Sequence, residues 1–89
     1  MLKKQKIIKT NLCTIPGVGK SIEQDLIELG YNTVEDLRRA DPEEMYFRSC
    51  QLAGQQIDRC LLYVYRCAIY FATHKKHEPQ KLKWWYWKD

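Results

Sequence analysis

Between a lysine-rich lead and an amphipathic stretch the chain reads Ile15-Pro16-Gly17-Val18-Gly19, and neither a helix nor a strand can run through it. Proline inside a helix removes a hydrogen bond and clashes with the preceding turn, and glycine there costs about 1 kcal/mol relative to alanine. The chain must therefore turn, with Ile15 and Val18 available to anchor the turn on a core. Before it, Ile7, Ile8 and Leu12 are spaced for a short helix within residues 3–13. After it, Ile22, Leu26, Ile27 and Leu29 mark one face of a second helix, with Ser21 and Gln24 spaced as a capping box and Gly30 as its stop.

The remaining pattern is also helical. Thr33 and Asp36 are spaced as a weaker capping box for a connector through Val34 and Leu37, and Asp41-Pro42-Glu43-Glu44 is the clearest start signal, predicting a helix from Pro42 to about Ser49. From Gly54 to about His74 neither proline nor glycine interrupts a stripe of Ile57, Leu61, Val64, Ala68, Ile69 and Phe71, which predicts the longest helix. No alternation typical of strands is present. A chain of 89 residues buries only about 60–65% of its unfolded surface, so a single domain spanning 1–89 is expected, with 1–9 as an arm and 78–89 as a tail.

Offsetting the sequence by 35 residues sets Gly54, Ile57, Asp58 and Leu61 under Gly19, Ile22, Glu23 and Leu26, and Phe47 under Leu12. Each half then reads as short helix, turn and longer helix, which with the connector predicts an all-α, five-helix, pseudo-two-fold domain. The second turn is degenerate, because Gln51 and Leu52 stand where the first has Pro16 and Gly17.

The net charge of +4 is unevenly spread. Residues 1–22 hold Lys3, Lys4, Lys6, Lys9 and Lys20 with no acid, residues 23–44 hold eight acids against Arg38 and Arg39, and residues 45–89 are again positive. An anionic partner would be met by the two ends. The cysteines Cys13, Cys50, Cys60 and Cys67 have no C-x-x-C spacing, and the longest early apolar run is Ile7-Ile8, so a reducing cytoplasmic setting without membrane association is expected. Cys60, Cys67 and His74 recur every seven residues. In a helix Cys60 and Cys67 lie about 10 Å apart, too far for a disulfide, and small buried residues with a histidine at a helix end describe them better than metal ligands. No metal or cofactor is expected.

The chemistry of the chain centres on Gly17, Val18, Gly19, Lys20 and Ser21. Two glycines leave no Cβ in the way, so a phosphate can approach the backbone directly. The free amides of the following helix start donate to it and add the positive end of the helix dipole, while Val18 points inward, Lys20 supplies charge and Ser21 a hydroxyl. A nucleotide-binding P-loop is excluded because its first glycine is replaced by Thr14 and no buried strand precedes it. A glycosylase built on Lys20 with Asp36 or Asp41 lacks the second helical domain that would enclose a flipped base. With neither a nucleophile and base pair nor a metal set, the chain is expected not to be an enzyme.

The segment from Leu12 to Leu26 closely resembles the helix-hairpin-helix signature, whose members grip the sugar-phosphate backbone without reading bases. The resemblance implies sequence-independent DNA binding through the Gly17 to Ser21 turn, in DNA maintenance or repair. The chain departs from that signature at Glu23, where alanine is usual. A carboxylate there either repels phosphate or points along the acidic flank of Asp25 and Glu28, leaving the turn usable. Over residues 12–89, the stretches I-P-G-V-G-K-S-I, L-G-Y-N-T-V-E-D-L-R-R-A-D-P-E-E-M-Y, D-R-C-L-L-Y-V-Y-R-C-A-I-Y-F-A and K-W-W-Y-W-K-D resemble the bacterial pathogenicity-locus family, some of whose members carry a mitomycin-resistance label. That resemblance implies a small helix-hairpin-helix protein and brings no catalytic residues.

The tail carries Trp84, Trp85 and Trp87 among Lys81, Lys83 and Lys88, a composition that either stacks on unpaired bases or folds back to cover Tyr63, Tyr65 and Tyr70. Packing on the core is the expected arrangement. The rival to DNA binding is a protein-interaction module, with a protein partner or a second copy held by exposed aromatics and the hairpin purely structural.

Overall fold

The computed structural model describes residues 10–89, which form three α-helices and four 3-10 turns with no strand among them. The helices are α1 (Lys20–Glu28), α2 (Pro42–Ala53) and α3 (Cys60–Thr73), and the 3-10 turns are Leu12–Thr14, Glu35–Arg39, Pro79–Leu82 and Trp84–Trp87. The basic arm and the part of the first expected helix before Thr10 lie outside the described residues.

The all-α expectation holds, but the five-helix count does not. Among the described residues, the segment before the turn is helical only as the 3-10 turn Leu12–Thr14, which ends where Ile15 is extended ahead of Pro16 (ψ 125°). The connector does open on a reciprocal box, the Asp36 amide donating to Thr33 Oγ1 at 3.2 Å and the Thr33 amide to Asp36 Oδ2 at 3.1 Å. It stays a 3-10 turn of five residues because Asp41 must be extended before Pro42. Further hydrogen bonding to the Asn32 amide holds the Asp36 carboxyl below its ordinary value.

Helix α2 starts where the sequence signals it, with Pro42 in the first turn and the Asp41 side chain accepting from the Glu43 amide at 3.0 Å. It runs four residues past the expected end at Ser49, stopping at Gly54 in the left-handed region (φ +70°). There the Gly54 amide bonds Gln51 O and the Gln55 amide bonds Cys50 O, closing the last turn on itself. Helix α1 ends the same way at Gly30 (φ +100°), with the Tyr31 amide on Leu26 O at 2.9 Å and Arg48 reaching over to the Leu29 carbonyl at 3.0 Å. Removing the α2 cap in Asp41→Ala is expected to cost about 1 kcal/mol in chemical denaturation, with native helix content otherwise retained.

The two halves are not structural repeats. Gly19 precedes α1 in extended conformation, whereas Gly54 closes α2 in left-handed conformation, and α3 begins six residues after it instead of one. Asp58 delays that start by accepting from the Cys60 amide at 2.8 Å, the local bonding that keeps aspartate out of helix interiors. Leu12 is fully buried while its counterpart Phe47 is exposed.

Helix α3 lies at the centre of the fold, flanked by α2, the connector and the C-terminal turns. Its Leu62, Tyr65 and Ala68 meet Leu12, Ile15, Val18, Leu26, Leu37 and Met45 in one core. Tyr65 is the largest fully buried side chain, and its hydroxyl pairs with the buried Ser49 Oγ at 2.7 Å, so neither polar group is stranded.

Candidate nucleic-acid interface

Ile15 and Val18 are the feet of the turn. Both are buried, and the Val18 amide donates to Ile15 O at 3.0 Å, spanning Pro16 and Gly17. With φ +89° at Gly17 this is the geometry of a type II turn, which favours proline at its second position and glycine at its third. The turn is thus pinned from below, and its outer edge faces solvent.

Gly19 differs in kind. Its backbone is extended (φ −97°, ψ −167°), a conformation open to any residue, and a Cβ placed on it would meet nothing within 4 Å. Neither backbone strain nor internal packing requires a glycine there. What a bare Gly19 does provide is unobstructed access to the start of α1. The first intrahelical bond is from the Glu23 amide to Gly19 O at 2.8 Å, so the amides of Lys20, Ser21 and Ile22 have no acceptor among the described residues. Lys20 and Ser21 are exposed within the first helical turn. The capping box expected from Ser21 and Gln24 does not form, because the cap position belongs to Gly19 and Ser21 already lies inside the helix.

Glu23 turns towards the preceding segment, not along the acidic flank. Its carboxylate accepts from the Thr10 hydroxyl in a short bond, and desolvation followed by the Glu23 charge keeps the Cys13 thiol above its ordinary range. Asp25, also raised by burial and by Glu28, lies two residues past the first turn of α1.

The other sequence candidates fall elsewhere. Cys60, Cys67 and His74 do not converge: the Cys67 thiol, pushed up to about 11 by burial, faces Lys81 O at 3.6 Å, and His74 Nδ1 lies 3.1 Å from Tyr70 O. No cluster of three potential metal ligands occurs among the described residues. The tail folds along α3. Trp87 Nε1 donates to Lys81 O at 2.9 Å, Arg66 donates to Trp87 O at 2.8 Å, and Asp89 receives Arg66 and Arg59, whose hydrogen bonds hold its carboxyl low. Yet none of the four aromatic residues of that last turn is fully buried.

A second feature was not read from the sequence. The side chains of Arg38, His74 and Lys75 line a pocket of about 390 Å³ at the end of α3, next to a larger cleft of about 530 Å³ between α3 and the tail. The separation of Arg38 from the other two along the chain conceals it.

With this geometry in place, comparison with known proteins adds the family. The family described as Pathogenicity locus (Cdd1) matches residues 5–89. The chain belongs to the Cdd1 family. Over 78 residues, 88% of this Cdd1 chain and 70% of the relative, it is also 31% identical to a protein named Mitomycin resistance protein McrB from Streptomyces lavendulae. No solved structure matches the chain. No helix among the described residues is long and apolar enough to cross a membrane.

Proposed function

We propose that this chain is a helix-hairpin-helix module that binds the DNA backbone without reading sequence, seating phosphate on the amides around Gly17, Gly19, Lys20 and Ser21. The observation that carries the reading is the bare Gly19 directly ahead of three helix-start amides that have no acceptor among the described residues, a place where none of those residues demands glycine. Amides at the positive end of a nine-residue helix favour an anion, and Lys20 adds a mobile charge. The engagement of Glu23 by Thr10 removes the objection that a carboxylate projects into the phosphate path. Such contacts fix position on a duplex and carry no sequence information, which suits a role in DNA maintenance or repair. The module is proposed to act by binding alone, in the cytoplasm and with no cofactor.

One observation favours the rival protein-interaction reading: Phe47 and Leu52 on α2 are 61% and 65% exposed. Five helical positions set them about 140° apart, so they do not form one stripe, and DNA binding is the better supported reading.

Titration of fluorescent duplex DNA at several salt concentrations tests it. The expected result is a Kd on the order of 10⁻⁴ to 10⁻⁶ M with a log-log salt slope of about −1 to −3, as one hairpin neutralises only a few phosphates. Lys20→Gln is expected to weaken binding equally across sequences and to reduce the slope by about one. Absence of binding at low salt sinks the proposal.

A further inference from the structure

We propose that the cleft between α3 and the C-terminal aromatic turn is a site for an unpaired nucleotide, with the base among Tyr70, Tyr86 and Trp87 and the phosphate at Arg38, His74 and Lys75. This site is separate from the hairpin and stands whether or not the hairpin binds duplex DNA.

Size and lining come first. The cleft holds about 530 Å³, within the roughly 300–1,000 Å³ usual for small-ligand sites, and its walls include Tyr70, Tyr86, Trp87, Arg66 and Lys88. Tyr70 is the hub, with ring centroids 4.6 Å from His74 and 5.5 Å from Trp87, and Tyr86 stands edge-on to Trp87 at 5.1 Å. Tyr70 is nearly buried and its hydroxyl accepts from the Glu78 amide, so this wall is fixed. A tail that served only to cover the core would hide its rings. Here Tyr86 keeps 47% of its surface exposed while lining the cleft. An exposed ring such as Tyr86, held against the part-buried Trp87 and the buried Tyr70, is what base stacking uses, and it tolerates any base because each has a π-face.

Charge then selects the ligand. The aromatic cleft shares Thr73 and His74 with the pocket lined by Arg38 and Lys75, so an aromatic compartment opens directly beside a cationic one. Among the described residues, neither Arg38 nor Lys75 is in an ion pair, whereas Arg66 is engaged by Glu43 and Asp89. The end of α3 contributes a partial negative charge of roughly half a unit, but Arg38 Nε already meets the Ala72 carbonyl at 3.2 Å. The remaining guanidinium N–H groups and Lys75 leave the pocket net positive. A neutral aromatic ligand would use only one compartment. A flat base carrying a phosphate uses both.

That chemistry has two sources, a free mononucleotide and a nucleotide within a single strand. Anisotropy of a labelled short oligothymidylate, measured at low salt on the full chain, reads the second, and competition by free thymidine monophosphate reads the first. Tyr86→Ala and Lys75→Glu are each expected to weaken oligonucleotide binding by about tenfold, the loss of one stack or one phosphate contact, with helical circular dichroism unchanged. Gly19→Ser, which alters only the hairpin, is expected to leave it intact. Competition at equal nucleotide concentration assigns the site to mononucleotides, and weak competition assigns it to single strands. Absence of binding by both ligands, equal binding by both variants, or loss in Gly19→Ser alone overturns the proposal. Lys75 lies in a separate lining from Tyr86, so a tail disturbed by Tyr86→Ala leaves the second variant decisive.

Discussion

Tyr65→Ala is expected to remove about 3–5 kcal/mol of folding stability, the cost of emptying a fully buried aromatic site. A domain of 89 residues has only about 4–13 kcal/mol to lose, so the variant is expected to give up a large share of its stability and to melt well below wild type. The position is sensitive for a geometric reason. Tyr65 lies on α3, the helix at the centre of the fold, in the one core it shares with Met45 of α2, Leu26 of α1 and Leu37 of the connector. Chemical denaturation followed by far-ultraviolet circular dichroism measures the loss, and a change below about 1 kcal/mol would show that the core repacks around the gap.

Tyr65→Phe separates the hydroxyl from the ring. It keeps the volume but leaves Ser49 Oγ buried without its partner, for an expected cost of about 1–2 kcal/mol. It also removes a pH dependence. Burial pushes the Tyr65 phenol from 10.0 up to about 12. The neutral phenol is therefore favoured in the folded state, and its stabilisation is complete below pH 10 and is lost as pH rises through about 12. Phenylalanine is expected to flatten that alkaline loss.

The start signals were legible because they are local. Asp41-Pro42 and the Thr33 and Asp36 box need only neighbouring atoms, and both form as spaced. The existence of α3 was legible from its uninterrupted apolar run, but its buried face was not. Of the expected stripe only Leu61 and Ala68 are buried, and Ile57 precedes the helix. The other buried positions are Leu62, Tyr65, Cys67, Tyr70 and Ala72, because a helix apolar on most sides blurs the period. What failed was the inference from spacing to equivalence. The 35-residue offset matched residue types while ignoring backbone conformation, and Gly19 and Gly54 turn out to serve opposite helix ends. Asp58, read as a match for Glu23, instead holds α3 back to Cys60. The Ser21 box failed because a bare glycine can itself occupy the cap position in extended conformation. At the candidate site, the burial of Val18 and the exposure of Lys20 and Ser21 follow from the apolar and polar pattern. The orientation of Glu23 does not, because it depends on Thr10, which no helical period links to it. The cationic pocket at Arg38 was invisible for a related reason: it is created by the packing of the connector against the end of α3.

The two glycines of the turn before α1 are expected to separate under mutation, which distinguishes a turn kept for its shape from one kept for access. Gly17→Val forces a β-branched residue to φ +89° and is expected to cost about 1–3 kcal/mol, opening the turn as it does so. Loss of DNA binding in that variant alone would be ambiguous. Gly19→Ser has no such defect, since its backbone conformation is open to serine and the new Cβ enters empty space. Serine is also a better helix cap than glycine, so stability is expected to hold or rise by a few tenths of a kcal/mol. Its side chain nonetheless stands over the amides of Ser21 and Ile22 and takes the bond a phosphate would receive. Each charge-assisted bond of this kind is worth about 1.5–3 kcal/mol, so duplex affinity is expected to fall at least about tenfold while the protein melts no lower than wild type. A Gly19→Ser protein that binds duplex DNA as tightly as wild type would mean that the start of α1 touches no phosphate, because the variant changes access there while leaving the backbone and core as they are.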